Sequence, residues 1–97
     1  MTKEELHEYI TKEMHEVYLA KNSDYGNSIH DTYEKYGMIS FLVRMEDKMN
    51  RLRSLLSKAA NVQDEKIEDT LLDLANYSVL AIMELKGYEL TKYSKKC

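Results

Sequence analysis

The stretch from Glu65 to Leu85 constrains the fold most, because it is almost entirely apolar from Leu71 onward and yet carries Asp69, Asp73 and Asn76 at helical spacing. At about 100° per residue, Asp69, Asp73 and Asn76 fall on one stripe of a helix, and the opposite stripe is apolar. A helix of this kind is expected to be buried over most of its circumference. Buried carboxylates are costly unless a cation, a hydrogen-bond donor or a metal meets them. The rest of the chain must therefore supply their partners.

Helix is favoured throughout the 97 residues, which include no proline and only three glycines. Apolar residues recur at spacings of three and four in three segments, and this pattern predicts a single all-α domain. The predicted boundaries are 1–20 for the first helix, 21–37 for a loop that carries a short helix at 28–36, 38–60 for the second helix, 64–86 for the third helix and 87–97 for a polar tail.

Charge and cysteine content narrow the functional classes. The net charge is −3, so no global basic field favours duplex nucleic acid. Cys97 is the only cysteine, which excludes a disulfide within the chain and fits a reducing cytosol. The N-terminus lacks an apolar signal segment, and the apolar run at 71–85 is too short for a membrane span. We therefore expect a cytoplasmic protein without membrane contact.

Acidic residues on two helices are the first candidate for chemistry. Asp47 lies on the charged side of the second helix, and an antiparallel pairing would turn this side towards Asp69 and Asp73. Carboxylates on facing helices build divalent metal sites in helical bundles, and their hard oxygens suit Mg²⁺ or Mn²⁺. The alternative is a buried ion-pair network, in which Asp73 meets Arg51 or Lys48. The residues alone leave both interpretations open.

Cationic residues and an aromatic loop are the second candidate. The cationic residues are Lys21, Arg44, Lys48 and Arg51. They could bind phosphates or could only neutralise the acids. The loop adds Asp24 and Tyr25, and a tyrosine can stack on a base, although the same loop could be a packed connector. No phosphate-binding glycine motif, zinc-type cluster or nucleophile triad is present, which argues against a Ser or Cys hydrolase.

Three motifs follow one another from Lys21 to Leu85: KNSDYGNS, YEKYGMISFLVRMEDKMNRL and EKIEDTLLDLANYSVLAI. In this order and spacing they resemble the nucleotide-modification-associated domain 1 family. Its members are small helical proteins common in phages and prophages, and they look like relatives of the MazG-like all-α nucleoside triphosphate pyrophosphohydrolases. The resemblance implies a helical bundle that is completed by oligomerisation, as a homo-dimer or larger, and a nucleotide ligand held with Mg²⁺.

Carried over by position, the implied metal ligands are Asp47 and Asp73, with Asp69 in support. The candidate nucleotide-binding residues, from the loop, the cationic set and the resemblance together, are Lys21, Asp24, Tyr25, Arg44, Lys48, Arg51, Asn76 and Tyr77. The acidic pattern departs from the MazG type, which has Glu-x-x-Glu on one helix and Glu-x-x-Asp on the next. Here the acids of both helices stand at other spacings, so the full acidic cage is not present.

Two main functions are compatible with this sequence. The first is a Mg²⁺-dependent, pyrophosphohydrolase-like enzyme that acts on (deoxy)nucleoside phosphates in phage nucleotide metabolism. The second is a non-catalytic nucleotide-binding sponge, which sequesters a signalling nucleotide of an anti-phage defence system, such as a cyclic dinucleotide or an ADP-ribose derivative. A third interpretation is a structural oligomer whose acids and arginines form ion pairs.

Overall fold

The structure is a computed structural model, and helices form every regular element in the part of the chain that it describes. They are α1 (Lys3–Tyr25), α2 (Ser28–Tyr36), α3 (Ile39–Leu56) and α4 (Gln63–Lys86). The structure describes residues 1–25, 27–57 and 63–88, and of residues 24, 25, 63 and 64 only the helical backbone. The predicted all-α fold, with three long helices and one short helix, is confirmed.

Short-range signals set several helix ends. Thr2 and Glu5 form a reciprocal capping box, since Thr2 N–H donates to Glu5 Oε1 at 2.7 Å and Glu5 N–H donates to Thr2 Oγ1 at 3.0 Å. Hydrogen bonding from the backbone and the side chain of Thr2 lowers the pKa of the Glu5 carboxyl. Gly37 and Gly87 stop α2 and α4 with φ of 72° and 83°, a backbone region that glycine adopts without steric cost.

The first helix is longer than predicted. The loop expected from Lys21 onward was wrong, because α1 continues through this segment to Tyr25. Asn22 and Ser23 favour turns locally, but the Lys21 side chain is bound to Asp73 of α4. A tertiary contact of this kind overrides a weak local propensity. The second helix is shorter than predicted, because α3 ends at Leu56 with Ser57 as its C-cap, four residues before the expected end at residue 60. The other described boundaries agree with the prediction within one or two residues, and residues 58–60 and 89–97 lie outside the described ranges.

The helices pack around α4. The α3 and α4 helices form the most extensive contact, α1 packs on α4, and α2 packs on α3. The α1 helix runs antiparallel to α4, since Met14 contacts Asn76 whereas Lys21 contacts Asp73. Phe41 of α3, whose ring contacts that of Tyr33 on α2, and Thr70 of α4 are each only 1% exposed. This arrangement brings three long helices side by side near the middle of α4.

The buried core is small. Among the apolar residues of the described ranges, only Phe41 and Leu55 are buried. Large apolar side chains on all three long helices remain exposed, including Leu56 and Leu85 at 70% each. No described helix combines the length and the apolarity that crossing a membrane requires. Much of the apolar surface of the three long helices is therefore exposed to solvent.

Candidate functional site

Charged side chains from three helices meet at Asp73 of α4. Lys21 Nζ of α1 donates to Asp73 Oδ1 at 2.7 Å, and Lys48 Nζ of α3 lies 2.9 Å from Asp73 Oδ2. The Asp73 side chain is only 19% exposed, compared with 27% for Lys48 and 52% for Lys21. We call these three residues the Asp73 junction. It ties α1, α3 and α4 together through one carboxylate.

The electrostatics of the Asp73 junction favour an ionised carboxylate. Burial is the largest single influence on Asp73 and opposes ionisation, but the hydrogen bonds and charges of Lys21 and Lys48 together outweigh it. The pKa of Asp73 therefore lies below its ordinary value. Opposite charges within hydrogen-bond distance are the usual cause of such a shift. The acid that was unexplained in the sequence thus has two cationic partners.

The remaining polar residues of the α4 stripe differ in their surroundings. Asn76 is half-buried and donates from Nδ2 to the carbonyl oxygen of Met14 at 3.2 Å, so its amide holds α1. Asp69 is exposed, and no hydrogen bond or ion pair engages it within the described ranges. Asp73 and Asn76 therefore have a structural explanation, whereas Asp69 has none.

A row of three cations runs along α3 next to the junction. Arg44, Lys48 and Arg51 stand at positions i, i+4 and i+7, which places them on one side of the helix. We call these residues the α3 cation row, and it spans about 10 Å along the axis. In the part of the chain that the structure describes, no hydrogen bond or ion pair engages Arg44 or Arg51. The row therefore carries two arginines without an acidic partner there.

A groove adjoins one end of the row. It lies between α2 and α3, has a volume of about 270 Å³, and is lined by Thr32, Tyr36, Ile39, Ser40, Val43 and Arg44. The Tyr36 side chain is 67% exposed, and Ile39 and Val43 are 61% and 57% exposed. Because Arg44 belongs to both features, the apolar groove is continuous with the cation row.

The structure brings together only part of the predicted site. Lys21, Lys48 and Asp73 are in contact, whereas Asp47 is exposed and has no protein partner among the described residues. Tyr77 is half-buried, and the predicted site residues at 24 and 25 have side chains outside the described set. Of the ion pairs that the sequence suggested for Asp73, the one with Lys48 is present.

The donors around Asp73 fit a divalent metal poorly in this arrangement. Across the described residues, no three His, Cys, Asp or Glu side chains are grouped as a metal ion would require. Both carboxylate oxygens of Asp73 are bound to ammonium groups, which a cation would have to displace. The metal ligation expected for Asp47, Asp69 and Asp73 stays a prediction, and we derive no chemical step through it.

The sequence reading missed a second polar cluster, between α2 and the end of α4. His30 Nδ1 lies 2.9 Å from Oε1 of Glu84, and the Tyr88 hydroxyl donates to the other oxygen. The Glu84 side chain is only 5% exposed. Burial and the hydrogen bond to Glu84 raise the pKa of Tyr88. The only sequence signal for this cluster was Glu84, an acid near the end of an apolar helix. That signal does not identify His30, which lies 54 residues away in the chain, as its partner.

The fold and the Asp73 junction define a class, a small all-α protein whose charged residues meet where three helices pack. The chain belongs to the nucleotide modification associated domain 1 family, whose model matches residues 21–85. The matched range contains the whole junction, the α3 cation row and the groove. No curated protein and no solved structure matches the chain. The family resemblance is thus confirmed, while the phage origin and the likeness to MazG-type enzymes stay predictions.

Proposed function

We propose that this protein binds a nucleotide, with its phosphates on the α3 cation row and its base in the groove between α2 and α3. The observation that carries the proposal is the pair of arginines, Arg44 and Arg51, which flank Lys48 and have no acidic partner among the described residues. The family description, which refers to nucleotide modification, points to the same class of ligand.

The cation row suits phosphate groups for geometric reasons. A guanidinium presents a planar fork of donors that matches two phosphate oxygens, and such charge-assisted bonds are the strong ones. Two forks and one ammonium over about 10 Å of helix can engage more than one phosphoryl group. Asp73 fixes Lys48 in the centre of the row through the 2.9 Å contact. The row therefore combines a positioned ammonium with two available guanidinium groups.

The groove suits the flat, largely apolar face of a base. Ile39 and Val43 supply an aliphatic wall, and Tyr36 supplies an exposed ring for stacking. Arg44 stands where the groove meets the cation row, so one ligand can occupy both. A compact apolar recess with a few convergent polar groups is the usual form of a small-molecule site.

Calorimetric titration of the purified chain tests the proposal. The panel contains nucleoside mono-, di- and triphosphates, cyclic dinucleotides and ADP-ribose, each with and without Mg²⁺. We expect Arg44→Gln and Arg51→Gln each to weaken binding by about 10-fold to 100-fold, the value of one charge-assisted hydrogen-bonding group. Arg53→Gln is the matched control, because Arg53 lies on the other side of α3 and contacts Glu46 and Asn50.

Two results would overturn the binding proposal. One is that the wild-type chain binds no member of the panel. The other is that Arg53→Gln weakens binding as much as Arg51→Gln, because the loss would then reflect net charge rather than the row. Circular dichroism of each variant checks that the helices remain intact.

The fate of the bound ligand separates the two functions that the sequence suggested. Recovery of an unchanged ligand by mass spectrometry would support a sponge, which in a phage would sequester a signalling nucleotide of an anti-phage defence system in the host cytoplasm. Release of phosphate or pyrophosphate would support a hydrolase. Asp47 and Asp69, exposed and without protein partners in the described ranges, are then the acids available to hold Mg²⁺ or Mn²⁺. Loss of turnover in Asp47→Asn, with binding retained, would identify that role.

A further inference from the structure

A polar contact ties the first turn of α2 to the end of α4. His30 Nδ1 lies 2.9 Å from Glu84 Oε1, and the Tyr88 hydroxyl donates to Glu84 Oε2. The rings of His30 and Tyr88 also meet edge to face, with their centroids 5.7 Å apart. We call these three residues the α2 clasp. It is well enclosed, because the side chains of His30 and Glu84 are only 17% and 5% exposed.

The α2 helix depends on its neighbours for its stability. It has nine residues, none of them buried, and an isolated helix of that length is unstable in water. Its C-terminal end is tied to α3 through Gly37, whose carbonyl oxygen accepts the backbone N–H of Ser40 at 3.0 Å and the Ser40 hydroxyl at 2.9 Å. In its middle, the Tyr33 ring packs on Phe41 with the centroids 5.9 Å apart. The clasp supplies a contact of the same kind in the first turn.

The clasp and the groove between α2 and α3 use opposite faces of α2. Thr32 and Tyr36 line the groove, and at 100° per residue they lie about 200° and 240° around the helix from His30. In the part of the chain that the structure describes, no clasp residue lines the groove. The helix therefore stands between the two features, so a shift of α2 on the clasp side moves the wall that carries Tyr36.

We propose that His30, Glu84 and Tyr88 are positioning residues for the base of the ligand. The clasp holds the α2 wall of the groove against α3 and sets the affinity for the base without touching it. This inference rests on the proposed function and adds the residues that decide whether the groove is formed. The phosphates do not depend on the clasp, because the whole α3 cation row lies on α3, which packs on α4 through its own extensive contact.

The expected magnitude follows from the fraction of molecules in which α2 is in place. Removal of a hydrogen bond to a charged group shifts an equilibrium by about 10-fold. A ligand that requires the groove binds more weakly by the factor by which the population with α2 in place falls. A ligand that requires only the cation row keeps its affinity. The clasp should therefore separate the affinity for the base from the affinity for the phosphates.

Calorimetric titration of the full chain with pyrophosphate and with ADP, GDP, CDP and UDP tests this separation. Pyrophosphate has no base and reports on the cation row alone. We expect His30→Ala to weaken binding of the nucleoside diphosphates about 10-fold and to change pyrophosphate binding by less than about 2-fold. Glu34→Gln is the matched control, because Glu34 also contacts His30, at 3.3 Å, but belongs to α2 itself and is 66% exposed. It should change neither affinity.

Two further measurements keep the test independent of one variant. Tyr88→Phe retains the ring beside His30 and removes only the hydroxyl that binds Glu84, so it should weaken nucleoside diphosphate binding in the same direction and by less. Hydrogen exchange without any ligand reports directly on α2. In His30→Ala the amides of α2 should exchange faster than in the wild type, whereas those of α3 should not.

The failure of this inference is distinct from the failure of the proposed function. Nucleoside diphosphate affinities that are undiminished in both His30→Ala and Tyr88→Phe would overturn the role of the clasp and leave the proposed function intact. Equal losses for nucleoside diphosphates and pyrophosphate would overturn it too, because the variant would then disturb the whole bundle. If the wild-type chain binds none of the five probes, the proposed function itself fails and this inference fails with it.

Discussion

Asp73→Asn provides the sharpest test of the junction. The substitution keeps the shape of the side chain and removes the charge that binds two ammonium groups. Lys48, at 27% exposure, then loses its carboxylate partner in a partly buried position, whereas Lys21 is half exposed and water can solvate it. We expect about 1.5–3 kcal/mol of lost stability, the value of hydrogen bonds to charged groups, with most of it from the Lys48 side.

Urea denaturation monitored by circular dichroism, with all variants at the same protein concentration, measures this loss. A double-mutant cycle with Lys48→Met should give a coupling energy of at least about 1 kcal/mol, and the cycle with Lys21→Met a smaller one. Asp69→Asn is the control for stability, since Asp69 is an exposed acid one turn earlier on α4, and it should change stability by less than about 0.5 kcal/mol. Equal effects of Asp73→Asn and Asp69→Asn would refute the structural role of the junction.

Three further predictions concern stability. Because the pKa of Asp73 is lowered, the stability that its ionised carboxylate contributes is complete above the ordinary carboxyl pKa, about 3.9, and is lost as the pH falls through the lower folded value. The stability of Asp73→Asn, measured by unfolding curves below pH 4, should therefore lack this pH-dependent contribution. Glu84→Gln should cost about 1–3 kcal/mol and lower the pKa of Tyr88 in an absorbance titration, whereas Glu34→Gln, on a 66% exposed side chain, should do neither. Gly37→Ala should cost about 1–3 kcal/mol in thermal unfolding, because φ of 72° and ψ of −157° strain the backbone even though the added Cβ meets no atom within 4 Å; an unchanged midpoint would contradict this.

Much of the fold could be predicted because its signals are local. The capping box of Thr2 and Glu5 and the glycine at position 37 each depend on residues three or four positions apart. The 3.6-residue period of the apolar positions gave the helices in the same way. The pairing of Asp73 with Lys48 was also accessible, since a carboxylate on an apolar helix requires a cation and the neighbouring helix offers one.

The rest depends on contacts between distant residues, which local patterns do not encode. Lys21 binds Asp73 across 52 positions, and α1 is helical at Lys21, where the turn-forming residues predicted a loop. His30 and Glu84 meet across 54 positions, although neither residue has a distinctive neighbour in the sequence. Both contacts depend on how the helices pack against one another. Helical periodicity predicts which face of a helix is apolar, but it does not predict which other helix packs on that face.

The exposed beginning of α1 has a consequence for local opening. Residues 3–13 are all exposed, and the half-buried positions that face α4 begin at Met14. Eleven residues span about 16 Å, and an isolated helix of that length is marginal in water. Amide hydrogens before Met14 should therefore exchange with solvent through fraying of this segment, whereas those from Met14 to Lys21 should exchange only when the contacts with Asn76 and Asp73 open. One continuous helix would thus report two separate opening free energies.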